Sequence, residues 1–75
     1  MSINDLLEQG ITIQGPYEIR EWDNELDCNH TLVKGDDFAS EHYAIGEEIL
    51  DKEISFIYPI TYDMGILVIE VKEKE

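Results

Sequence analysis

Apolar side chains at every second position of residues 54–62 constrain the fold of this chain more than any other feature. They are Ile54, Phe56, Tyr58, Ile60 and Tyr62. Successive side chains of a strand point to opposite faces of its sheet, so a period of two predicts a strand with one apolar face. A second run, residues 66–71, is apolar at both parities, which predicts a central strand or one covered on both faces. A turn at residues 62–65 joins the two runs into a predicted hairpin.

The alternation also predicts the register of this hairpin. We expect the apolar set of one strand to face that of the other, and the sets are Phe56, Tyr58, Ile60, Leu67, Ile69 and Val71. This register requires a loop of two or four residues, whereas a three-residue loop would oppose Tyr58 to Glu70. Pro59 then points away from the core. Because proline donates no ladder hydrogen bond, the first strand is expected at a sheet edge.

The first third of the chain predicts a short helix and a second hairpin. Ser2 and Asp5 have the spacing of a capping box, and Gly10 ends the helix. From residue 11 the apolar period changes to two, which predicts a strand that Gly15-Pro16 interrupts with a bulge, a bend or an edge. A turn at residues 23–29 and a short strand at residues 31–34 complete the hairpin.

The middle of the chain carries weaker signals. Residues 38–45 are expected to be a third strand or irregular, and residues 47–52 a single helical turn. A chain of 75 residues has room for one core, so residues 1–75 form a single domain. The predicted fold is α+β, with a short N-terminal helix packed on an antiparallel sheet of three to five strands built from two hairpins. A small, partly closed β-barrel is the alternative.

Charge limits the partners of this domain. Its 18 acidic and five basic residues give a formal net charge of -13, yet 43% of its residues are hydrophobic, which argues against disorder. Two stretches concentrate the excess, residues 18–27 with net -4 and residues 36–53 with net -6. Scattered basic residues and such acidity disfavour direct binding to nucleic acid or to anionic membranes. The lone Cys28 and the lack of a signal-like segment predict a cytoplasmic protein.

Candidate sites for metals and catalysis are weak. Asp23, Glu25 and Asp27 alternate as in the opening of a calcium loop, but Cys28 and Lys34 stand where that loop needs Gly and Glu. Three scattered soft ligands, Cys28, His30 and His42, are too few for a structural zinc site. Adjacent acids without an apolar cleft are typical of a solvated surface rather than of acid–base catalysis. We therefore expect no enzymatic activity, no metal and no cofactor.

Surface aromatic and acidic residues are the best candidates for contact with a partner protein. By parity, Tyr17, Tyr58, Tyr62 and Phe56 are assigned to the core. The predicted partner-binding residues are Trp22, Tyr43, Ile57, Asp36, Asp37, Glu47, Glu48 and Asp51. An edge strand near Pro59 or Ile11 also predicts a weak homodimer.

Four segments, residues 4–11, 13–15, 48–54 and 67–71, together resemble small acidic proteins of bacteriophages and mobile elements of gut Gram-positive bacteria. The resemblance implies an accessory protein of a bacterium or a phage-infected host that binds a host or phage protein. The leading hypothesis is therefore a non-enzymatic protein-interaction module of unknown target, whose contact with its partner centres on apolar surface; a basic partner protein is a further expectation. The alternative is an acidic mimic of nucleic acid that inhibits a DNA- or RNA-binding protein, because carboxylates can replace phosphates as partners of Lys and Arg.

Overall fold

The described part of the chain folds into three short helices and four strands. A computed structural model describes residues 1–11, 13–60 and 65–72. In chain order the elements are α1 (Ile3–Glu8), β1 (Tyr17–Asp23), β2 (Cys28–Gly35), α2 (Phe38–Glu41), α3 (Glu47–Leu50), β3 (Glu53–Ile60) and β4 (Ile66–Lys72). A single 3-10 turn, His42–Ala44, directly follows α2. In the described residues, no helix is long and apolar enough to cross a membrane.

The four strands form one open sheet in the order β2-β1-β4-β3. Antiparallel pairing joins β1 to β2 and β3 to β4, so the small α+β fold with an N-terminal helix and two hairpins is confirmed. The sheet keeps two edges and does not close into a barrel. One feature corrects the expectation of an antiparallel sheet: the central pair, β1 and β4, is parallel. Turns determine the direction of strands within each hairpin, but only tertiary packing determines how two hairpins join.

Helix α1 begins and ends where the sequence predicts. The Ser2 hydroxyl accepts a hydrogen bond from the Asp5 amide at 3.2 Å, and the Asp5 carboxylate accepts one from the Ser2 amide at 2.9 Å. At the other end, the Ile11 amide donates to the Leu6 carbonyl at 3.0 Å. Gly10 makes that bond possible because its φ of 80° is unfavourable for residues with a Cβ atom.

Strand β1 starts at Tyr17, so the predicted start at residue 11 is wrong. Gly15 has a φ of 89° and bends the chain just before β1, as the Gly15-Pro16 sequence indicated. The Gly15 amide donates to Asp37 Oδ1 at 3.0 Å, and its carbonyl accepts from the Phe38 amide at 3.1 Å. These bonds tie Gly15, just before β1, to the start of α2.

Residues 38–45 are mainly helical, which corrects the expectation of a strand or irregular chain. Helix α2 and the 3-10 turn after it occupy residues 38–44. Phe38 is fully buried, and its ring meets that of Tyr17 edge-on at 5.1 Å between centroids. Burial of this ring against β1 stabilises a segment whose own helical signal is too short to be read. The helical turn predicted over residues 47–52 is confirmed by α3.

The register of the β3–β4 hairpin differs from the prediction. Tyr58 pairs with Val68 and Ile60 with Ile66, so these two residues of β3 share a face with the even-numbered residues of β4 rather than with Leu67, Ile69 and Val71. A β-bulge lies between Ile54 and Phe56, which places Phe56 opposite Glu70. Phe56 is therefore 63% exposed rather than in the core. Tyr62 and most of the predicted turn lie outside the described residues. Pro59 does lie on an edge strand, β3, and β4 is central.

The helices cover one face of the sheet. Side chains from this layer, including Ile3, Phe38 and Leu50, form the core with alternate residues of the two central strands, such as Ile19 and Ile69. The opposite, helix-free face carries the side chains of the other parity. They are Glu18, Arg20, Trp22, Phe56, Tyr58, Val68 and Glu70. We call this the open face, and the candidate site lies at one end of it.

Candidate protein-interaction site

The eight residues predicted to contact a partner are not gathered in one place. As predicted, Trp22, Tyr43 and Ile57 are exposed, with Tyr43 most exposed at 85%. Trp22 lines a cleft at the end of the sheet, and none of the other seven predicted residues lines that cleft. Asp36 and Asp37 precede α2, whereas Glu47, Glu48 and Asp51 belong to α3 and its C-cap.

Three of the predicted acids make bonds that hold helices in place. The side-chain amide of Asn4, through Nδ2, donates to Glu47 Oε2 at 2.9 Å and to Asp51 Oδ1 at 2.6 Å, which links α1 to α3. Asp37 accepts hydrogen bonds from the Gly15 amide and from the Ser40 hydroxyl, both at 3.0 Å. The Gly15 bond, more than the Ser40 bond, holds the pKa of Asp37 below its ordinary value. These carboxylates contribute to the fold as well as to the surface charge.

The Trp22 cleft, of about 790 Å³, lies at the end of the sheet where β1 and β4 finish and β3 begins. Two aromatic side chains line it, Trp22 and Phe56. Parallel strands place their carboxyl ends at the same edge of a sheet. Glu21 and Glu70 therefore both line the cleft, although 49 positions separate them in sequence. The ionised groups that line the cleft are Glu21, Asp23, Glu25, Glu70 and Lys72. Carboxylates thus outnumber ammonium groups by four to one.

The turn after β1 holds the Trp22 side chain in place. The indole Nε1 donates to Asn24 Oδ1 at 3.0 Å, which satisfies the only polar group of the ring. Asp23 Oδ1 accepts from the amides of Glu25 at 2.9 Å and Leu26 at 3.2 Å. Asp27 completes the turn with a φ of 52°. The Asp23 carboxylate, one of the three in the calcium-like run, therefore stabilises this turn. The Trp22 side chain is exposed with its one N–H donor already hydrogen-bonded.

The bulge in β3 positions the second aromatic residue. Ser55 is the extra residue between the Ile54–Val71 and Phe56–Glu70 pairs. A bulge shifts the parity of the residues after it, so the Phe56 side chain points to the open face while Ile54 packs against the core. Without the bulge, Phe56 would fall on the helix-covered face.

Glu70 is the most buried carboxylate in the cleft, with 9% of its surface exposed. Its Oε2 atom accepts from Asn29 Nδ2 at 3.4 Å and from the Tyr58 hydroxyl at 3.5 Å, both long hydrogen bonds. Among the described residues, Oε1 accepts no hydrogen bond and no cation lies within 4.0 Å of the carboxylate. Oε1 is also not sealed from solvent, because the one buried side-chain oxygen without a hydrogen bond among the described residues is on Glu21.

Arg20 is the cross-strand neighbour of Glu70, but its guanidinium is engaged elsewhere. Its Nη2 lies 3.1 Å from Glu18 Oε2, and Thr31 donates a short hydrogen bond to the other oxygen of Glu18. The Arg20 bond, followed by the Thr31 bond, lowers the pKa of Glu18, and the same pairing raises the pKa of Arg20. The open face thus has one carboxylate with a cation, Glu18, beside one without, Glu70.

Glu21 alternates with Arg20 and Trp22 along β1, so its side chain lies on the other face of the strand, where it has its own partners. Lys52 Nζ lies 2.6 Å from Glu21 Oε2, and this contact is an ion pair although its angle falls outside hydrogen-bond geometry. His30 Nε2 lies 3.6 Å from Oε1. The Glu21 charge is therefore largely balanced, and Asp23, Glu25 and Glu70 supply most of the negative potential of the cleft.

Sequence reasoning missed Phe56 and Glu70. Phe56 was assigned to the core because its spacing matches Tyr58 and Ile60, and a bulge leaves no mark in that spacing. Glu70 is a lone polar residue in an otherwise apolar strand, which was a usable signal: a buried strand tolerates a carboxylate only where something balances it. Trp22 was found because its parity contradicted its hydrophobicity.

In the part of the chain that the structure describes, no three His, Cys, Asp or Glu side chains are grouped so as to hold a metal ion. No protein-family model, curated protein or solved structure matches the chain. The resemblance to small acidic phage proteins therefore stays a prediction, and the functional proposal rests on the site itself.

Proposed function

We propose that this chain is a non-enzymatic protein-interaction module that binds a basic segment of a partner protein in the Trp22 cleft. One observation carries the proposal: two exposed aromatic rings, Trp22 and Phe56, line the same cleft as a nearly buried carboxylate without a cation, Glu70. Aromatic residues in pockets supply much of the binding energy at protein interfaces. Carboxylates beside them select a cationic partner.

Charge supports a basic partner over a neutral one. With a net charge of -13, the domain attracts cationic segments from a distance and repels acidic ones. Such steering raises the association rate more than the affinity. At physiological ionic strength, salt screens charges that lie farther apart than the Debye length of about 8 Å. The rings of the cleft then supply a contact that persists when salt is added.

Binding is favoured over catalysis by what the other carboxylates of the cleft are doing. Glu21 is paired with Lys52, and Asp23 accepts hydrogen bonds from two backbone amides of its own turn. Both carboxylates are thus committed to contacts within the fold, whereas a general acid or base must be free to exchange a proton with its substrate during the reaction. The phage-like setting and the cytoplasmic location remain part of this proposal.

Selection from a library of random linear peptides tests the proposal. Peptides that bind the wild type are counter-selected on a Trp22→Ala, Phe56→Ala double variant, so that only cleft-dependent sequences remain. We expect these sequences to be enriched in Lys and Arg. Tyr43→Ala, which removes a more exposed ring outside the cleft, is the matched control and should keep the same binders.

Two results would contradict the proposal. One is the absence of any peptide whose binding depends on Trp22 and Phe56, and the other is enrichment of sequences without basic residues. Binders that survive the double variant, require Glu47 and Asp51, and are displaced by duplex DNA would favour the acidic mimic instead.

A further inference from the structure

We infer that one arginine of the partner segment anchors in the Trp22 cleft, with its guanidinium against the two aromatic rings and bonded to Glu70. This inference rests on the proposed function and specifies its ligand. It commits to an arginine side chain because each part of that group has a counterpart in the cleft.

One oxygen of the Glu70 carboxylate, Oε1, receives no hydrogen bond from a described residue and is open to a ligand. Both of its hydrogen bonds are long and reach the same oxygen, Oε2, while Oε1 accepts none. The one guanidinium on the neighbouring strand, that of Arg20, is committed to Glu18. A nearly buried carboxylate gains more from a donor than an exposed one, because less water competes for it. A ligand with two parallel N–H groups would satisfy Glu70 and displace little water.

The rings of Trp22 and Phe56 favour arginine over lysine. A guanidinium is planar, stacks on aromatic faces and is more weakly hydrated than an ammonium, so it loses less on entering a cleft. Its fork of N–H groups also matches a carboxylate, whereas lysine acts as a point charge. Trp22 is already bonded through Nε1 to Asn24, so its ring can accept a stacked group without giving up that bond.

Lys72 is the one ammonium among the described residues that line the cleft, and it lies on the same side of β4 as Glu70. It is exposed, and it makes no ion pair within 4.0 Å with a described residue. Its charge opposes a cationic ligand. Lys72→Gln should therefore strengthen arginine binding several-fold, an effect opposite in sign to that of changes at Glu70.

Two blocked peptides of equal charge, hexa-arginine and hexalysine, test the inference at low and at physiological salt. Trp22 is the single tryptophan of the chain, so its fluorescence reports directly on the cleft. We expect hexa-arginine to bind about tenfold more tightly than hexalysine and to alter Trp22 emission, since a desolvated cation–π contact contributes on the order of 1–2 kcal/mol. Hexalysine should bind through the acidic rim without changing that emission.

Three variants separate the anchor from general charge attraction. Glu70→Gln should reduce hexa-arginine affinity to the hexalysine level, whereas Glu48→Gln removes the same charge outside the cleft and should have less than a twofold effect. Phe56→Ala removes an exposed ring, leaves the fold and the Trp22 signal intact, and should also remove the preference for arginine. It keeps the inference testable if Glu70→Gln is poorly folded by circular dichroism.

The outcomes distinguish the inference from the proposed function. If both peptides bind equally and the preference is insensitive to Glu70 and Phe56, the arginine anchor is refuted while a basic-partner module survives. If neither peptide binds at low salt, both are refuted. An arginine preference that only Glu70 and Phe56 variants remove supports both.

Discussion

Replacement of Arg20 by Met tests how the open face is stabilised. Glu18 is 8% exposed and lies under the Arg20 guanidinium at 3.1 Å, with Thr31 as its other side-chain donor. Methionine keeps most of the aliphatic stem of Arg20 but removes the cation. The variant therefore leaves a nearly buried carboxylate with one hydroxyl donor.

The expected loss is about 2 kcal/mol. Breaking a fully buried pair costs about 3–5 kcal/mol. The Arg20 side chain is only part-buried, so screening by water reduces that figure. A domain of this size has a total stability of roughly 4–11 kcal/mol, and each kcal/mol corresponds to about 4–8 °C in Tm. Arg20→Met should thus lower the Tm by about 8–16 °C.

Urea denaturation followed by circular dichroism at several pH values measures this loss and its origin. In the wild type the pKa of Glu18 is lowered, so its contribution is complete above the ordinary value of 4.5 and is lost as the pH falls through the folded value. In Arg20→Met the part of that contribution that comes from Arg20 is missing at neutral pH, while Thr31 and Lys34 still favour the ionised form of Glu18. The difference between the two proteins should therefore shrink as the pH drops below 4.5.

A double variant, Glu18→Gln with Arg20→Met, is the control. It removes the buried charge together with its partner, and Gln can still accept the Thr31 hydrogen bond. Its stability should recover to within about 1 kcal/mol of the wild type. The reasoning is refuted if Arg20→Met costs less than about 0.5 kcal/mol at pH 7, or if its cost is the same at pH 3 and pH 7.

Three further predictions concern the core, the surface charge and a helix start. Phe38→Ala removes a fully buried ring and should cost about 3–5 kcal/mol, which lowers the Tm by about 12–40 °C in a thermal melt, whereas Phe38→Leu should lower it far less. Moderate NaCl should raise the Tm, because it screens repulsion among a net charge of -13; a flat or falling Tm would contradict this. Asp37→Asn should be less stable than the wild type at pH 7, because the pKa of Asp37 is lowered in the folded protein. The difference in stability should vanish as the pH falls through that lowered pKa, and paired urea titrations of the two proteins measure it.

The elements that could be predicted from the sequence are those encoded by neighbouring residues. The capping box of Ser2 and Asp5 and the positive φ of Gly10 mark the ends of α1 within a span of ten residues. Period-two alternation located β3, a continuous apolar run located β4, and Pro59 indicated an edge strand. Trp22, Tyr43 and Ile57 were correctly placed on the surface, and for Trp22 the reason was its parity, which is that of the polar residues of β1.

Tertiary structure alone decided the helical state of residues 38–44, the bulge at Ser55 and the parallel pairing of β1 with β4. Each depends on residues far apart in sequence, as when Phe38 packs on Tyr17 or the Leu67 amide donates to the Pro16 carbonyl at 3.1 Å.

The candidate site divides in the same way. The excess of acid between residues 18 and 27 and the exposure of Trp22 are properties of the sequence. The cleft is a property of the fold, because Glu70 arrives on β4 and Phe56 on β3. Local patterns describe the environment that a residue needs, but they do not specify which distant strand provides it. Only the docking of the two hairpins leaves Glu70 nearly buried, without a cation and beside two exposed rings.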